Sequence, residues 1–162
     1  MAVSAYEVIS AQTLASAAAS VTFSSIPQTY TDLVLVINGV NSADRNVVAR
    51  FNGDTSTIYS STRLYGTGSS AATDLYTTMS YATLSAGNTT LDYNIIARLD
   101  NYSNTTTYKT IFTRSNITGD IVGSTVSTWR GLTAISTLLL MLNGAGNFNT
   151  GSTFTLHGIK AA

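Results

Sequence analysis

GLTAISTLLLMLNGAGNFNTGSTFTLHGI, residues 131–159, is the stretch that decides the fold, and it contains two strand patterns joined by a polar loop. The run 138–142 is apolar without a break, but a membrane-spanning helix needs about 20 such residues. A short, unbroken apolar run predicts a strand that is buried on both faces or lies at a tight subunit contact. Residues 152–159 alternate instead, with Phe154, Leu156 and Gly158 on one side. This alternation predicts a half-buried strand that closes the fold.

The rest of the chain repeats this rhythm of short runs and turn residues. Asn38-Gly39, Asn52-Gly53 and the Gly66-Thr-Gly68 segment each follow a run of strand-forming residues, and they are typical turn sequences. The sequence has no heptad run and no regular alternation of helix and strand patterns. The fold class predicted is therefore all-β, a jelly-roll-like antiparallel β-sandwich of about nine or ten strands. The predicted strand runs are 3–9, 30–37, 46–51, 57–65, 90–99, 107–114, 121–129, 134–142 and 152–159.

We expect a single β-sandwich domain over residues 1–162. A chain of this length buries roughly 70% of its extended surface, so a real core is possible without disulfides, and the sequence contains no cysteine. Residues 66–90 have a different texture, with irregularly spaced apolar residues and few turn signals. They predict either an excursion from the sandwich with one helical turn, or a loop laid over one end of the core.

Charge excludes one class of partner. Eight Lys and Arg balance eight Asp and Glu, and charged residues make up only 10% of the chain. The cations are scattered singly, whereas a nucleic-acid interface needs them clustered, so we expect no nucleic-acid partner. The start of the chain lacks the basic and apolar regions of a secretory signal, and we expect no membrane partner. A surface of Ser, Thr and Asn with few ions is common on proteins that pack against copies of themselves.

The sequence does not predict an enzyme. His157 is the only histidine, and no cysteine accompanies it, so a nucleophile–base pair has few candidates. Asp92 and Asp100 lie at opposite ends of one predicted strand, and Glu7 is the only glutamate. A glycosidase needs two carboxylates that face each other across a cleft, which this pattern does not supply. No calcium loop or phosphate-binding glycine loop is complete, and we expect no metal and no cofactor.

The aromatic residues are the candidate contact residues. Tyrosine and tryptophan are frequent at protein interfaces, and their rings also form platforms on which sugars stack. Both interpretations stay open at this point, together with ordinary core packing. The candidates for partner contact are Tyr65, Tyr76, Tyr81 and Trp129.

Both ends of the chain resemble small virion proteins of tailed bacteriophages. The N-terminal part contains the pattern Phe-x-x-Ile-Pro-x-x-Tyr-x-x-Leu, which runs here from Phe23 to Leu33. The second is Gly-Ser-x-Phe-x-Leu-Tyr-Gly-Ile, which runs from Gly151 to Ile159 with His157 in place of the tyrosine. In that group these patterns bracket a jelly-roll β-sandwich. Residues 65–90 match nothing in the pattern.

The resemblance implies a non-enzymatic structural protein on the virion. The chain starts at Met1 and carries no shaft-like repeat, so we expect a stand-alone capsid decoration (cement) protein on the capsid surface. Its expected partners are the major capsid protein and copies of itself, as a homotrimer, because closed rings reuse one contact. The alternative is a tail fibre or receptor-binding module that recognises a host surface glycan.

Overall fold

A computed structural model of the chain describes residues 6–85, 90–119 and 121–160, and every regular element in these ranges is a β-strand. The strands are β1 (Tyr6–Thr13), β2 (Ser20–Phe23), β3 (Asp32–Gly39), β4 (Val47–Phe51), β5 (Tyr59–Gly66), β6 (Ala71–Met79), β7 (Ala82–Thr83), β8 (Tyr93–Leu99), β9 (Lys109–Ile117), β10 (Val122–Trp129), β11 (Leu138–Leu142) and β12 (Thr153–Ile159). These ranges contain no helix long and apolar enough to cross a membrane.

The strands form two antiparallel sheets of unequal size. The large sheet has eight strands in the order β1-β12-β3-β8-β9-β10-β5-β6, and the small sheet has four in the order β2-β11-β4-β7. Sequence neighbours β8, β9 and β10 pair directly, whereas β12 returns from the end of the chain to lie between β1 and β3. The predicted antiparallel β-sandwich is confirmed, with twelve strands in the described ranges instead of nine or ten.

The core lies between the two sheets, and alternation along the strands explains which residues enter it. In β8, Tyr93, Ile95, Ala97 and Leu99 are buried, while the residues between them point away from the small sheet. β12 follows the predicted pattern, because Phe154 is buried together with the other residues assigned to that side. One continuous apolar cluster therefore joins both sheets.

Strand β11 differs from the prediction in one respect. Leu138, Leu140 and Leu142 are buried, but Leu139 and Met141 are only half-buried. β11 lies between β2 and β4 in the small sheet, so its edges are hydrogen-bonded on both sides. One face of the strand packs on the core, and the prediction of burial on both faces was wrong.

Residues 66–90 were predicted as an excursion or as a loop over one end of the core, but the structure shows strands in this segment where it describes it. β6 is a nine-residue strand that forms an edge of the large sheet, and β7 belongs to the small sheet. The sequence hid β6 because two of its inward positions are the polar residues Asp74 and Tyr76, so no apolar alternation appears. Residues 86–89 lie outside the described ranges.

Candidate interaction surface

The outer face of the large sheet is the broadest uncovered surface among the described strands. The small sheet covers the opposite side, where Lys109, Ile111 and Thr113 of β9 are buried. The alternating residues of β9, including Phe112 and Arg114, are exposed on the outer face. We call this side, made of the outward residues of all eight strands, the outer face.

Strand register places the outward side chains in straight rows across the outer face. Residues that are direct partners in neighbouring strands lie about 4.5–5.5 Å apart, close enough for their side chains to touch. The first row crosses all eight strands, and four of its members are large apolar residues with exposed fractions between 43% and 70%. It comprises Val8, His157, Val34, Arg98, Phe112, Val126, Thr62 and Leu75.

A second row runs parallel to the first, two residues away along seven of the strands and three residues away along β1, where the register shifts between Val8 and Ser10. It includes Leu64, which is 58% exposed, and Val122 lies beside it with 63% exposed. Monomeric proteins seldom expose large contiguous apolar patches, so the exposed apolar side chains of these rows make the outer face a candidate contact surface. The second row comprises Ala11, Thr155, Val36, Ile96, Arg114, Ser124, Leu64 and Thr73.

Two arginines stand within these rows, and they differ in their partners. Arg98 makes ion pairs with Asp32 at 2.9 Å and Asp100 at 2.5 Å. Its hydrogen bond to Asp32 and the charge of Asp100 raise the pKa of Arg98, so its charge is both fixed and neutralised locally. Arg114 makes no hydrogen bond or ion pair with any residue that the structure describes. It is the uncompensated charge of the outer face.

Two shallow depressions flank Arg114. One, of about 320 Å³, is bordered by Ile96 and Phe112, and the other, of about 480 Å³, is bordered by Leu64 and Val122. Arg114 contributes to the wall of both. Arg114 therefore lies between an apolar hollow, bordered by Leu64 and Val122, and a hollow of mixed lining to which Arg98 also contributes.

Of the predicted contact residues, Tyr65 and Tyr76 lie together, on the inner side of β5 and β6. Both are half-buried against Arg63, whose guanidinium carbon is 4.7 Å from the centroid of the Tyr65 ring and 5.7 Å from that of Tyr76. Tyr81 is half-buried between β6 and β7 and makes no ring contact with them in the described part of the chain. These residues do not belong to the outer face.

Trp129 was predicted as a partner contact, and the structure contradicts this. It is 2% exposed and packs on Phe51 and Tyr59, with ring centroids 5.6 Å and 6.3 Å away. Its indole Nε1 donates a hydrogen bond to Asp54 Oδ2 at 2.7 Å. Trp129 ends β10 on the inward side of the strand, and this places it in the core, where no partner reaches it.

Arg63 is a residue that sequence reasoning missed. It is 8% exposed, and its Nε donates to Asp74 Oδ2 at 3.0 Å, while its Nη2 contacts the same oxygen and donates to the Tyr76 hydroxyl at 3.1 Å. Burial raises the pKa of Tyr76. Arg63 and Asp74 are register partners, so the ion pair ties edge strand β6 to β5. Only the pairing register brings them together.

The described histidine and carboxylates do not cluster into a metal-binding group. His157 is half-buried on the outer face, 6.3 Å from the Tyr6 ring. The carboxylates are dispersed, since Glu7 binds Lys160 at 2.6 Å and Asp54 binds Trp129. No set of three or more His, Cys, Asp or Glu residues lies close enough to hold a metal ion in the ranges described.

Comparison with known proteins adds no family. No family model and no curated protein matches the chain. Among solved structures, a mutant of the alginate lyase Aly36B in complex with alginate tetrasaccharide aligns over 82% of this chain and 72% of its own, with 10% identity and a TM-score of 0.29. A second mutant, in complex with alginate trisaccharide, aligns over 92% and 78% with 7% identity and a TM-score of 0.30. The alginate lyase Aly36B itself aligns over 80% of this chain and 68% of its own, with 9% identity and a TM-score of 0.29. This likeness is too low to carry a functional argument.

Proposed function

We propose that this chain is a non-enzymatic structural protein of a tailed-bacteriophage virion, a decoration protein that docks on the capsid surface. The proposal joins the resemblance at the two ends of the chain to one structural observation, the large apolar side chains exposed in the two rows of the outer face, which are Val8, Phe112, Val126, Leu75 and Leu64. Removing apolar surface from water lowers the free energy, and docking through this face would hold neighbouring capsid subunits together in this way.

The size of the outer face supports this proposal. Eight strands at spacings of about 4.8 Å give a width of roughly 34 Å, and strands of this length extend about 25 Å. The resulting area, about 850 Å², is close to the roughly 800 Å² that each partner contributes to a standard stable interface. The partners proposed are the major capsid protein and further copies of the chain, arranged as a homotrimer.

Electron cryo-microscopy of the virion tests this proposal. The expected map shows the sandwich on the capsid exterior, with the outer face of the large sheet turned towards the major capsid protein. A map that places the chain in the tail, or that leaves the outer face in solvent, would contradict it. Mass spectrometry of purified particles is the companion test, because a structural protein must be present in stoichiometric amounts.

The second candidate function is glycan recognition by a tail fibre or receptor-binding module, and the Arg63 cluster favours it. Tyr65 and Tyr76 present half-buried rings beside the Arg63–Asp74 ion pair, a combination of stacking surface and polar groups that suits a sugar. A glycan array tests it. Binding that is lost in Tyr65→Ala and kept in Tyr108→Ala, a tyrosine 57% exposed elsewhere, would favour this function over the first.

A further inference from the structure

We infer that the outer face binds a protein surface in which an Asp or Glu carboxylate is surrounded by aliphatic or aromatic side chains. The inference deepens the proposed function and rests on it, because it names the chemistry of the partner that the docked face meets. It is carried by Arg114 and the two hollows beside it.

Arg114 is placed where a partner's carboxylate would be held. Its register partners are Ile96 on β8 and Ser124 on β10, so it stands in the middle of the sheet and not at a rim. Guanidinium groups bind carboxylates through two parallel hydrogen bonds, and this geometry selects a carboxylate over a neutral group. The hydroxyl of Ser124 is a further polar group next to it. A partner that covers this position without a carboxylate would bury an unpaired charge, which is costly.

The hollows define what surrounds that carboxylate. Ile96 and Phe112 border one hollow, and Leu64 and Val122 border the other. Because the exposed atoms of these four residues are aliphatic or aromatic carbons, apolar side chains of the partner fit beside its acid, above all in the hollow of Leu64 and Val122, since Arg98 also lines the other hollow. The expected motif is an acidic residue between apolar residues on an otherwise uncharged surface.

A second copy of the same face does not meet this requirement. In a two-fold contact each patch meets itself, so the Arg114 side chains of both copies would be buried together. Asp32 and Asp100, the carboxylates beside the first row on this side, both bind Arg98. Asp32 also accepts a hydrogen bond from the Asn101 amide at 2.8 Å. Charge complementarity therefore favours a different, acidic partner surface.

Selection from a displayed library of random dodecapeptides on the purified full chain tests this inference. We expect enriched peptides to carry an Asp or Glu between apolar residues. Arg114→Gln should weaken their binding about 10- to 100-fold, the usual effect of removing one side of a charged hydrogen bond. Arg114→Lys keeps the charge without the forked geometry, so its affinity for the peptides should lie between those of the wild type and Arg114→Gln. Arg45→Gln is the control, because it removes an exposed arginine from the β3–β4 loop.

The outcomes separate the inference from the proposed function. Enrichment of uncharged or basic peptides, no enrichment, or binding that Arg114→Gln leaves unchanged would overturn the inference. Attachment to particles is measured separately, with virions that lack the chain as the probe. If the chain attaches through the outer face and Arg114→Gln attaches equally well, the proposed function stands and the inference fails. If acid-selective peptide binding is found and the chain does not attach, the inference stands and the proposed function fails.

Discussion

Replacing Lys109 with methionine should stabilise the protein. Lys109 is 1% exposed, and it lies on the inward side of β9. Its ammonium donates a hydrogen bond to the Thr107 carbonyl at 3.1 Å and lies 5.8 Å from the centroid of the Trp129 ring. None of the ion pairs among the described residues includes it. The charge is therefore buried without a counter-ion.

The magnitude follows from two opposing effects. Burying an ion costs several kcal/mol, and the hydrogen bond and the contact with the indole ring recover about 2–4 kcal/mol of that. Methionine keeps the buried aliphatic stem and removes both the cost and the two contacts. We expect the free energy of unfolding at pH 7 to rise by about 1–2 kcal/mol, which corresponds to a gain in Tm of about 2–4 °C per kcal/mol.

The pH dependence gives an independent check. Burial lowers the pKa of Lys109 in the folded protein below its ordinary value of 10.5. The unfolded chain then binds more protons than the folded one in the interval below pH 10.5, so wild-type stability gains from this group as pH rises through that interval. The advantage of Lys109→Met should accordingly be largest at neutral pH and shrink as the pH approaches 10.5. Tyrosines that titrate in this range are common to both proteins and cancel in the difference.

Urea unfolding measures these differences. Trp129 is the only tryptophan and it is buried, so its fluorescence reports on the core. Lys160→Met is the matched control, because Lys160 is half-exposed in its pair with Glu7 and ion pairs at the surface contribute little to stability. A loss of more than about 1 kcal/mol in Lys109→Met at pH 7, or an advantage that persists unchanged at pH 10.5, would refute the reasoning.

Three further changes test the packing. Asp74→Asn should lower the free energy of unfolding by about 2–3 kcal/mol, because it leaves Arg63 buried without its carboxylate, and Arg63→Met should largely suppress this loss in a double-mutant cycle. Tyr59→Phe should lower the free energy of unfolding by about 1–3 kcal/mol, because the buried backbone N–H of Phe51 loses the Tyr59 hydroxyl that accepts its hydrogen bond at 3.1 Å. Gly158→Ala should cost about 1–3 kcal/mol, because the added Cβ would lie 2.4 Å from the Tyr30 ring. Urea unfolding measures all three, and additive effects in the cycle or changes within about 0.5 kcal/mol would contradict them.

Alkaline titration adds a prediction at the same tyrosine. Burial raises the pKa of Tyr59 to about 12, from an ordinary value of 10.0. The neutral hydroxyl therefore contributes stability that is fully present below pH 10 and is lost as the pH rises through 12. Absorbance of the phenolate, compared between wild type and Tyr59→Phe, should show this late titration. The prediction would be contradicted if the absorbance difference between the two folded proteins titrated near pH 10.

Much of the sandwich is readable from the sequence, because burial on one side of a strand leaves a period of two. In β8 the apolar residues Ile95, Ala97 and Leu99 recur at every second position, and this period identifies both the strand and its inward side although Ile96 is also apolar. The same reasoning works for β12. It fails for β6, where Asp74 and Tyr76 point inward, and for β11, where half-buried Leu139 sits among buried leucines. Periodicity reports burial only where the inward residues are apolar.

The candidate surface is less predictable, because it depends on pairing register. Phe112 and Val126 read as ordinary strand residues in the sequence, and neither belongs to an apolar run. They become neighbours because β9 and β10 pair with these two residues opposite each other. The aromatic residues were predicted as contacts because of their residue type, but Trp129 lies in the core and Tyr65 lies on the inner side of β5. Residue type indicates which contacts a side chain can make, whereas strand pairing determines whether that side chain is exposed or buried.

The most direct test of the account is attachment to virions that lack the chain, measured by co-sedimentation. Phe112→Ser and Val126→Ser remove apolar atoms from the outer face, where both residues are 43% exposed, so they should leave the fold intact. Leu132→Ser is the control, because this leucine is 49% exposed in the β10–β11 connection. We predict that the two outer-face variants lose at least about tenfold in apparent affinity, as expected for residues at the centre of an interface. Wild type and Leu132→Ser should bind alike. Equal binding by all four proteins would contradict the central claim that the chain docks through the outer face.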